Sequence, residues 1–329
     1  MKVFDCTLRD GGNVLGNGFP KDLTLSIVNG LINCGIKDIE FGNAKGIGAG
    51  EDRNAPAFLT DMEYMEAVQP YVKKARIGMF CAAKCATKAR AEMAAAHGLK
   101  FLRVGNNASD GKKSLEAIQL VKDAGLTCRY SLMKAYVSTP EELAEEAHML
   151  QEAGVDIITI MDSAGYMFPE DAAKYVTALK KKVNIPVGFH SHSNLGMSQA
   201  NAVAAVQAGA DEVDGGLLGM ARSAGNCSTE LAVATMHRIG LLPEVNLYKL
   251  LAYLDSELIP MMKTHNYEVA VTPQELVLGF AGCHSSFLKT FKKVAEDKQV
   301  SLYKLIVEVS KIDKKAPTEA LMQKVATKI

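Results

Sequence analysis

Apolar residues recur at helical spacing through much of the chain, as at Leu23, Ile27 and Leu31 or at Leu143, Ala147 and Leu150. A glycine closes many of these segments and a short apolar or β-branched run follows it: Cys34-Gly35-Ile36, His97-Gly98-Leu99, Ala124-Gly125-Leu126, Ala153-Gly154-Val155 and Ala208-Gly209-Ala210. Glycine takes the left-handed conformation past a helix C-terminus without a Cβ penalty, so each junction reads as helix, then strand. The runs that follow predict strands over residues 37–41, 100–104, 127–132, 156–161 and 212–217, joined by 3–8, 76–80 and 186–189.

Strands alternating with helices over about 240 residues predict a (β/α)8 TIM barrel, with a doubly wound open sheet as the second choice. Near Leu241 the alternation stops, and a mostly helical stretch runs to Ile329. The expected organisation is therefore α/β: a catalytic barrel over 1–240 and a helical C-terminal domain over 241–329. In a barrel the chemistry sits at the C-terminal strand ends and in the loops after them, which confines the search for a site.

Composition narrows the function. Lys plus Arg and Asp plus Glu both number 37, a net charge of zero, without the cationic excess of a nucleic-acid binder. No apolar run reaches the ~18 residues of a membrane span, and Asp5 comes too early for a signal peptide, so the chain reads as cytoplasmic. Seven cysteines scattered through 329 residues fit reduced thiols. Lys180-Lys181-Lys182 and Lys311 to Lys315 read as solvated helix ends.

Four strand ends carry candidate chemistry. His190 and His192, two residues apart, share a face of the seventh strand. Asp10, after the first, brings a carboxylate to the same rim. Two imidazoles and one carboxylate suit a catalytic divalent ion. Arg9 either pairs with Asp10 or Glu40 or stabilises an oxyanion. Glu40 and Asp162 fall at the predicted mouth. Gly46-Ile47-Gly48-Ala49-Gly50 lacks a phosphate-loop ending and reads as a mobile loop over the site. Cys81 and Cys85 read as core or helix-start thiols, and His97, His148 and His237 as helix residues.

Asp5-Cys6-Thr7-Leu8-Arg9-Asp10-Gly11-Gly12 resembles the opening signature of the metal-dependent pyruvate-aldolase and carboxyltransferase barrels, which include 4-hydroxy-2-oxovalerate aldolase, hydroxymethylglutaryl-CoA lyase and isopropylmalate synthase. His190-Ser191-His192-Ser193-Asn194 through Asp214, Gly219-Met220 and Gly225-Asn226 is similar to their second signature. The stretch from Leu278-Gly279-Phe280 to Phe287-Leu288 resembles the start of the helical C-terminal domain of the 4-hydroxy-2-oxovalerate aldolases.

The resemblance implies a divalent metal, usually Mn2+ with Mg2+, Co2+ or Zn2+ as alternatives, on Asp10, His190 and His192. It also implies an enolate of metal-bound pyruvate stabilised by Arg9, Asp162 and Ser163 at the substrate, and Asn226 contributing to the metal site. The expected reaction cleaves or forms a 4-hydroxy-2-oxo acid from pyruvate and an aldehyde, with an acylating aldehyde dehydrogenase subunit as partner and an oligomer as a further possibility. Two departures stand out. Asn13 replaces the family's catalytic histidine, and His284 replaces a tyrosine, so His284 becomes the candidate for the displaced base. An acyl-CoA-dependent synthase and a non-catalytic partner subunit stay open as alternatives.

Overall fold

In a computed structural model, which describes residues 1–50, 56–267, 277–279 and 281–329, all five glycines expected to end helices adopt positive φ: Gly35 at 101°, Gly98 at 79°, Gly125 at 74°, Gly154 at 103° and Gly209 at 102°. Each hands a helix on to a strand, as the pattern predicts. The strands are β1 (Lys2–Asp5), β2 (Asp38–Phe41), β3 (Arg76–Ala82), β4 (Phe101–Asn107), β5 (Thr127–Met133), β6 (Ile157–Asp162), β7 (Val187–Ser191) and β8 (Glu212–Gly215). All neighbours pair in parallel and β1 pairs with β8, so the sheet closes in the order β1 to β8 and the open doubly wound alternative falls away.

Eight helices surround the barrel: α1 (Lys21–Cys34), α2 (Asp61–Val68), α3 (Lys88–Ala96), α4 (Leu115–Asp123), α5 (Pro140–Glu152), α6 (Pro169–Lys182), α7 (Ser198–Gln207) and α8 (Thr229–Arg238). Their apolar stripes, such as Leu23, Ile27 and Leu31 on α1, pack on outward strand residues such as Ile39 and Ile77 in one continuous core. Threonines cap α2 and α5 through reciprocal bonds with Glu63 and Glu142.

The first strand is shorter than expected. The Asp5 carboxylate accepts the Thr7 N–H at 3.0 Å, and Cys6 O accepts the amides of Arg9 (3.1 Å) and Asp10 (2.8 Å). Arg9 and Asp10 therefore arrive on a tight turn, and Asp10 opens a 3-10 helix to Leu15. The two glycines that follow are dictated by close packing: a Cβ on Gly12 would lie 2.6 Å from Gly18 Cα.

The barrel interior is charged. Arg103 and Arg129 are fully buried; Arg103 donates to Asp214 (2.6 Å), Arg129 pairs with Glu212, and both guanidiniums lie over the Phe4 ring.

Two apolar cores organise the chain. Beyond α8, helical turns over Leu247–Tyr253, Leu254–Leu258 and Ile259–Lys263 still bury Leu250, Tyr253, Leu258 and Met262 in the barrel core, so the segment just after the expected boundary at 240 packs on the barrel. A Cβ on Gly30 of α1 would lie 2.5 Å from the Tyr253 ring, which keeps that position bare. The second core starts at Val277 and is built from Leu278 and the helices Leu288–Lys298, Leu302–Ser310 and Glu319–Ala326. Lys134, after β5, donates to Lys315 O at 2.7 Å, and Lys314 bonds Tyr166 Oη at 3.0 Å after β6. Lys314 and the Lys315 backbone are thus ties between the second core and the barrel loops, against the expectation of solvated ends. No described helix is long and apolar enough to cross a membrane.

Candidate active site

At the C-terminal end of the barrel, Asp10 Oδ2 lies 3.6 Å from Nε2 of both His190 and His192. All three residues are buried. His190 comes from β7, but His192 lies just past it, bridged to Asn226, so the two rings converge by the strand's exit and not by alternation alone. The rings meet edge to face at 5.2 Å between centroids.

The donor set fits a divalent cation. Nε2 of His190 and Oδ1 of Asn226 are buried without hydrogen-bond partners, a cost that a bound ion would remove. His190 Nδ1 is bonded to Asp214 Oδ2 at 3.0 Å, the outer carboxylate that typically orients a ligating imidazole. Burial, opposed by the Asp10 charge, pulls the His192 pKa down to about 3 and leaves the ring neutral, as a ligand must be. Burial pushes the Asp10 carboxyl the other way, but Arg9, His192 and His190 hold it well below the usual carboxylate range. A second grouping, Cys6 with His190 and Asp214, is a hydrogen-bonded cluster: the thiol donates to Gly215 O at 3.2 Å, and burial holds it protonated.

Arg9 makes both pairs that the sequence left open. Nε donates to Glu40 at 2.7 Å, Nη1 lies 3.0 Å from Asp10, and Nη2 is buried without a partner. The guanidinium is also stacked over Phe80 at 5.0 Å.

The cavity over this cluster is about 170 Å³ and is lined by Arg9, Asp10, Lys45, Ser163, His190, His192, Arg222 and His284, with Ala44, Phe80, Met133 and Met161. A larger concavity between α5 and α6 lies on the barrel flank, lined by Lys and Glu side chains with no convergent ligand set among the described residues.

Three expected substrate residues lie off the cavity wall and are bonded to other groups. Both Asp162 oxygens accept loop amides, from Tyr166 (2.9 Å) and Met167 (3.1 Å). Burial raises this carboxyl to a pKa of about 6, and those bonds hold the loop after β6. Glu40 is taken by Arg9, with Arg103 Nη1 3.7 Å away. Asn226 donates to Asp10 Oδ2 at 3.0 Å, which aims that oxygen. Ser163 does line the cavity, with its Oγ accepting the Lys134 N–H at 3.0 Å.

The glycine-rich stretch is pinned where it is described. Ile47 N donates to Phe80 O at 2.8 Å and Gly48 N to Asp61 at 2.6 Å, so backbone bonds replace the expected mobility and seat Ala44 and Lys45 at the cavity. Glu51 and Asp52 of that loop, and Phe280 of the C-terminal signature, lie outside the described residues.

Asn13 donates its amide to Asp10 O at 2.8 Å and to Oδ1 at 3.3 Å, bracing the turn. His284 reaches the cavity from the C-terminal segment. Burial, then Arg222 and Lys134, push its pKa well below the usual histidine value, so the ring is neutral. Its Nδ1 contacts Ser286 Oγ at 2.8 Å in either tautomer, and accepts the Ser286 amide at 3.2 Å in the one that keeps its proton on Nε2. A Cβ on Gly279 would lie 2.5 Å from Asn194 Cβ, so the backbone of this segment sits directly on the loop that carries His192.

Sequence reasoning missed Arg222, Lys45 and the orienting role of Asp214. Asp214 and the flanks of Arg222 lay inside the second signature, and a cation in a loop after β8 was the available signal.

With this geometry in place, family models match almost the whole chain: HMGL-like over residues 1–256 and a DmpG-like communication domain over 269–329. The chain belongs to the HMGL-like family. It is 32% identical over 311 residues to a 4-hydroxy-2-oxovalerate aldolase of Geobacillus genomosp. 3, covering 94% of this chain and 91% of the relative. It is 34% identical over 296 residues to that of Pelotomaculum thermopropionicum, covering 90% and 86%. This places it with the 4-hydroxy-2-oxovalerate aldolases, a group of carbon–carbon lyases. Among solved structures, the carboxyl transferase domain of Rhizobium etli pyruvate carboxylase superposes with a TM-score of 0.75 at 16% identity, over 100% of this chain and 61% of that one. The N-terminal domain of a candidate aldolase from Bacteroides vulgatus gives 0.73 at 18%, over 85% and 92%. Both show the shared barrel.

Proposed function

We propose that this HMGL-like protein is a divalent-metal-dependent class II aldolase that joins pyruvate to an aldehyde, or cleaves the resulting 4-hydroxy-2-oxo acid. The observation that carries the reading is the convergence of Asp10, His190 and His192 beside the unpaired Nη2 of Arg9. Asp10, His190 and His192 would hold the ion, Mn2+ by the family's habit, which supplies Lewis-acid polarisation of the 2-oxo acid.

The chain's own residues do the rest. Arg9 lines the cavity, is fixed by Glu40 and Asp10, and keeps Nη2 unpartnered for the negative charge that would grow on the enolate oxygen; such a preorganised donor needs no rearrangement as the reaction proceeds. Asp162 and Ser163 fix the loops after β6 and β5 around the substrate. His284 stands for the family's base. In the tautomer that gives up the Ser286 amide bond and donates Nδ1–H to Ser286 Oγ, Nε2 is free to take the proton of the 4-hydroxyl in cleavage and to return it in condensation. Asn13 is confined to bracing Asp10. A cavity of about 170 Å³ among the described residues suits a small 2-oxo acid and aldehyde and is small for an acyl-CoA, against ~300–1,000 Å³ for sites of drug-sized ligands. The helical C-terminal unit, matching the communication-domain family, is the proposed contact for an acylating aldehyde dehydrogenase subunit.

The test is proton exchange: protein, Mn2+ and pyruvate in D2O, with the pyruvate methyl signal followed by NMR. Metal-dependent loss of the signal supports enolisation at this site. A persistent signal with metal bound rejects pyruvate as the donor.

A further inference from the structure

Arg222 is the cation that the proposed reaction does not use. It lines the cavity together with Arg9, Asp10, His192 and His284, and its side chain has no hydrogen bond or ion pair among the described residues. Arg9, in contrast, has two of its three guanidinium nitrogens tied to carboxylates. Arginine stays protonated in proteins, so this partly exposed guanidinium keeps its donors for solvent or a ligand. Burial and the Arg9 charge act against the charge on Arg222, and only Asp10 favours it.

The loop that presents Arg222 is built to hold its place. Arg222 O accepts the Gly225 N–H at 3.2 Å, Gly225 O accepts the Ser193 N–H at 2.8 Å, and Asn226 grips Asp10. Ser223, the next residue, has φ of 61°, a conformation that costs a non-glycine residue free energy, and Asn194 donates to its Oγ at 2.6 Å. Four contacts therefore fix the loop backbone that carries Arg222, whose own donors are left open.

Its position indicates which part of the substrate it meets. Arg222 and His284 line the same small cavity, and the Arg222 charge acts on the imidazole assigned to the C4 oxygen. Arg9 already serves the pyruvyl end. A planar fork of donors beside the C4 end suits a carboxylate or phosphate.

We propose that Arg222 binds an anionic group on the acceptor half of the substrate, so that the aldehyde or oxo compound joined to pyruvate carries a carboxylate or a phosphate. The inference rests on the pyruvate-aldolase reading and names the acceptor class for that site. Lys45, also at the cavity, adds positive potential on the same approach.

The experiment compares acceptors with the Mn2+-loaded full-length protein in the condensation direction. Acetaldehyde and propanal are the neutral arm, glyoxylate and succinic semialdehyde the carboxylate arm, and glycolaldehyde phosphate the phosphate arm. The expected result is a kcat/KM at least about tenfold higher for one anionic arm than for the neutral arm, equivalent to ~1.4 kcal/mol. The better anionic arm identifies the group. In Arg222→Met the anionic arm falls at least about tenfold further than the neutral arm, and Arg222→Lys, which keeps the charge without the fork, falls in between. A wild-type protein that exchanges pyruvate protons but treats all acceptors alike overturns the proposal, as do equal losses on both arms in Arg222→Met. Failure of the pyruvate exchange itself overturns the parent reading and is seen separately.

Discussion

His190 is hydrogen-bonded through Nδ1 to Asp214 Oδ2 at 3.0 Å, while its Nε2 faces Asp10 without a partner. The same Asp214 oxygen accepts from Arg103 at 2.6 Å, so the carboxylate that orients the imidazole is itself held from the barrel floor. Burial works to raise the Asp214 pKa, but Arg103 and His190 bring it down to about 2, which keeps the acceptor charged. Asp214→Asn is expected to weaken Mn2+ binding by ~10–100-fold, as outer partners of metal ligands do. Asp10→Ala should remove binding. Calorimetric titration with Mn2+ measures both, and an unchanged affinity in Asp214→Asn would break the assignment of His190 Nε2 as a ligand.

Arg9→Lys tests the enolate donor. Lysine keeps the charge but cannot present three nitrogens to Glu40, Asp10 and the cavity at once. Removal of one preorganised donor costs ~10²–10³ in kcat, and a loss of that size is expected with little change in KM for pyruvate. A shift in KM alone would assign Arg9 to ground-state binding.

His284→Ala is expected to lower aldol turnover far more than Mn2+ or pyruvate affinity, by ~10²–10⁴ if the ring carries the proton. Ser286→Ala, which removes the Oγ contact to Nδ1 but leaves the imidazole, should show a smaller loss. Steady-state kinetics with parallel binding titrations separate the two, and an unchanged turnover in His284→Ala would eliminate the residue from the chemistry.

Asp5 ties folding to pH. It is fully buried, and desolvation, opposed by bonds from Thr229 and Thr7, raises its pKa from 3.8 to about 6. The unfolded chain ionises this group first as pH rises, so its contribution is fully present below about 4 and is lost as pH climbs through about 6. A rise of that size is worth on the order of 3 kcal/mol. Asparagine can accept the Thr7 amide and donate to the Thr229 hydroxyl, so Asp5→Asn should flatten the stability profile between pH 4 and 7. Denaturant melts across that range check it, and parallel profiles would show that Asp5 is not the source.

The barrel and the grouping of the three candidate metal ligands were legible because each depends on local chemistry: glycine ends the helices, β-branched runs make the strands, and the barrel confines function to strand ends. Asp10, His190 and His192 needed only that confinement to be grouped. Glu40, Asp162 and Asn226 were located at the mouth, but their roles depend on which donor lies within about 3 Å, a tertiary fact that spacing does not carry. Arg222 was missed for a related reason. A loop arginine is ordinarily solvated, and what distinguishes this one is its place on the cavity wall, which the sequence alone does not display. The packing of residues 242–262 on the barrel was hidden because a helix that buries one stripe reads the same whichever surface it covers.

The buried charges of the barrel form an unbroken succession from Glu212 and Arg129, through the Phe4 ring, to Arg103, and thence to Asp214 and Glu40, which hold His190 and Arg9. A neutral residue in place of Arg103 would take from Asp214 its shorter bond and from Glu40 a second cation, and so loosen the carboxylates that hold His190 and Arg9. A change on the floor of this barrel is therefore felt at its mouth.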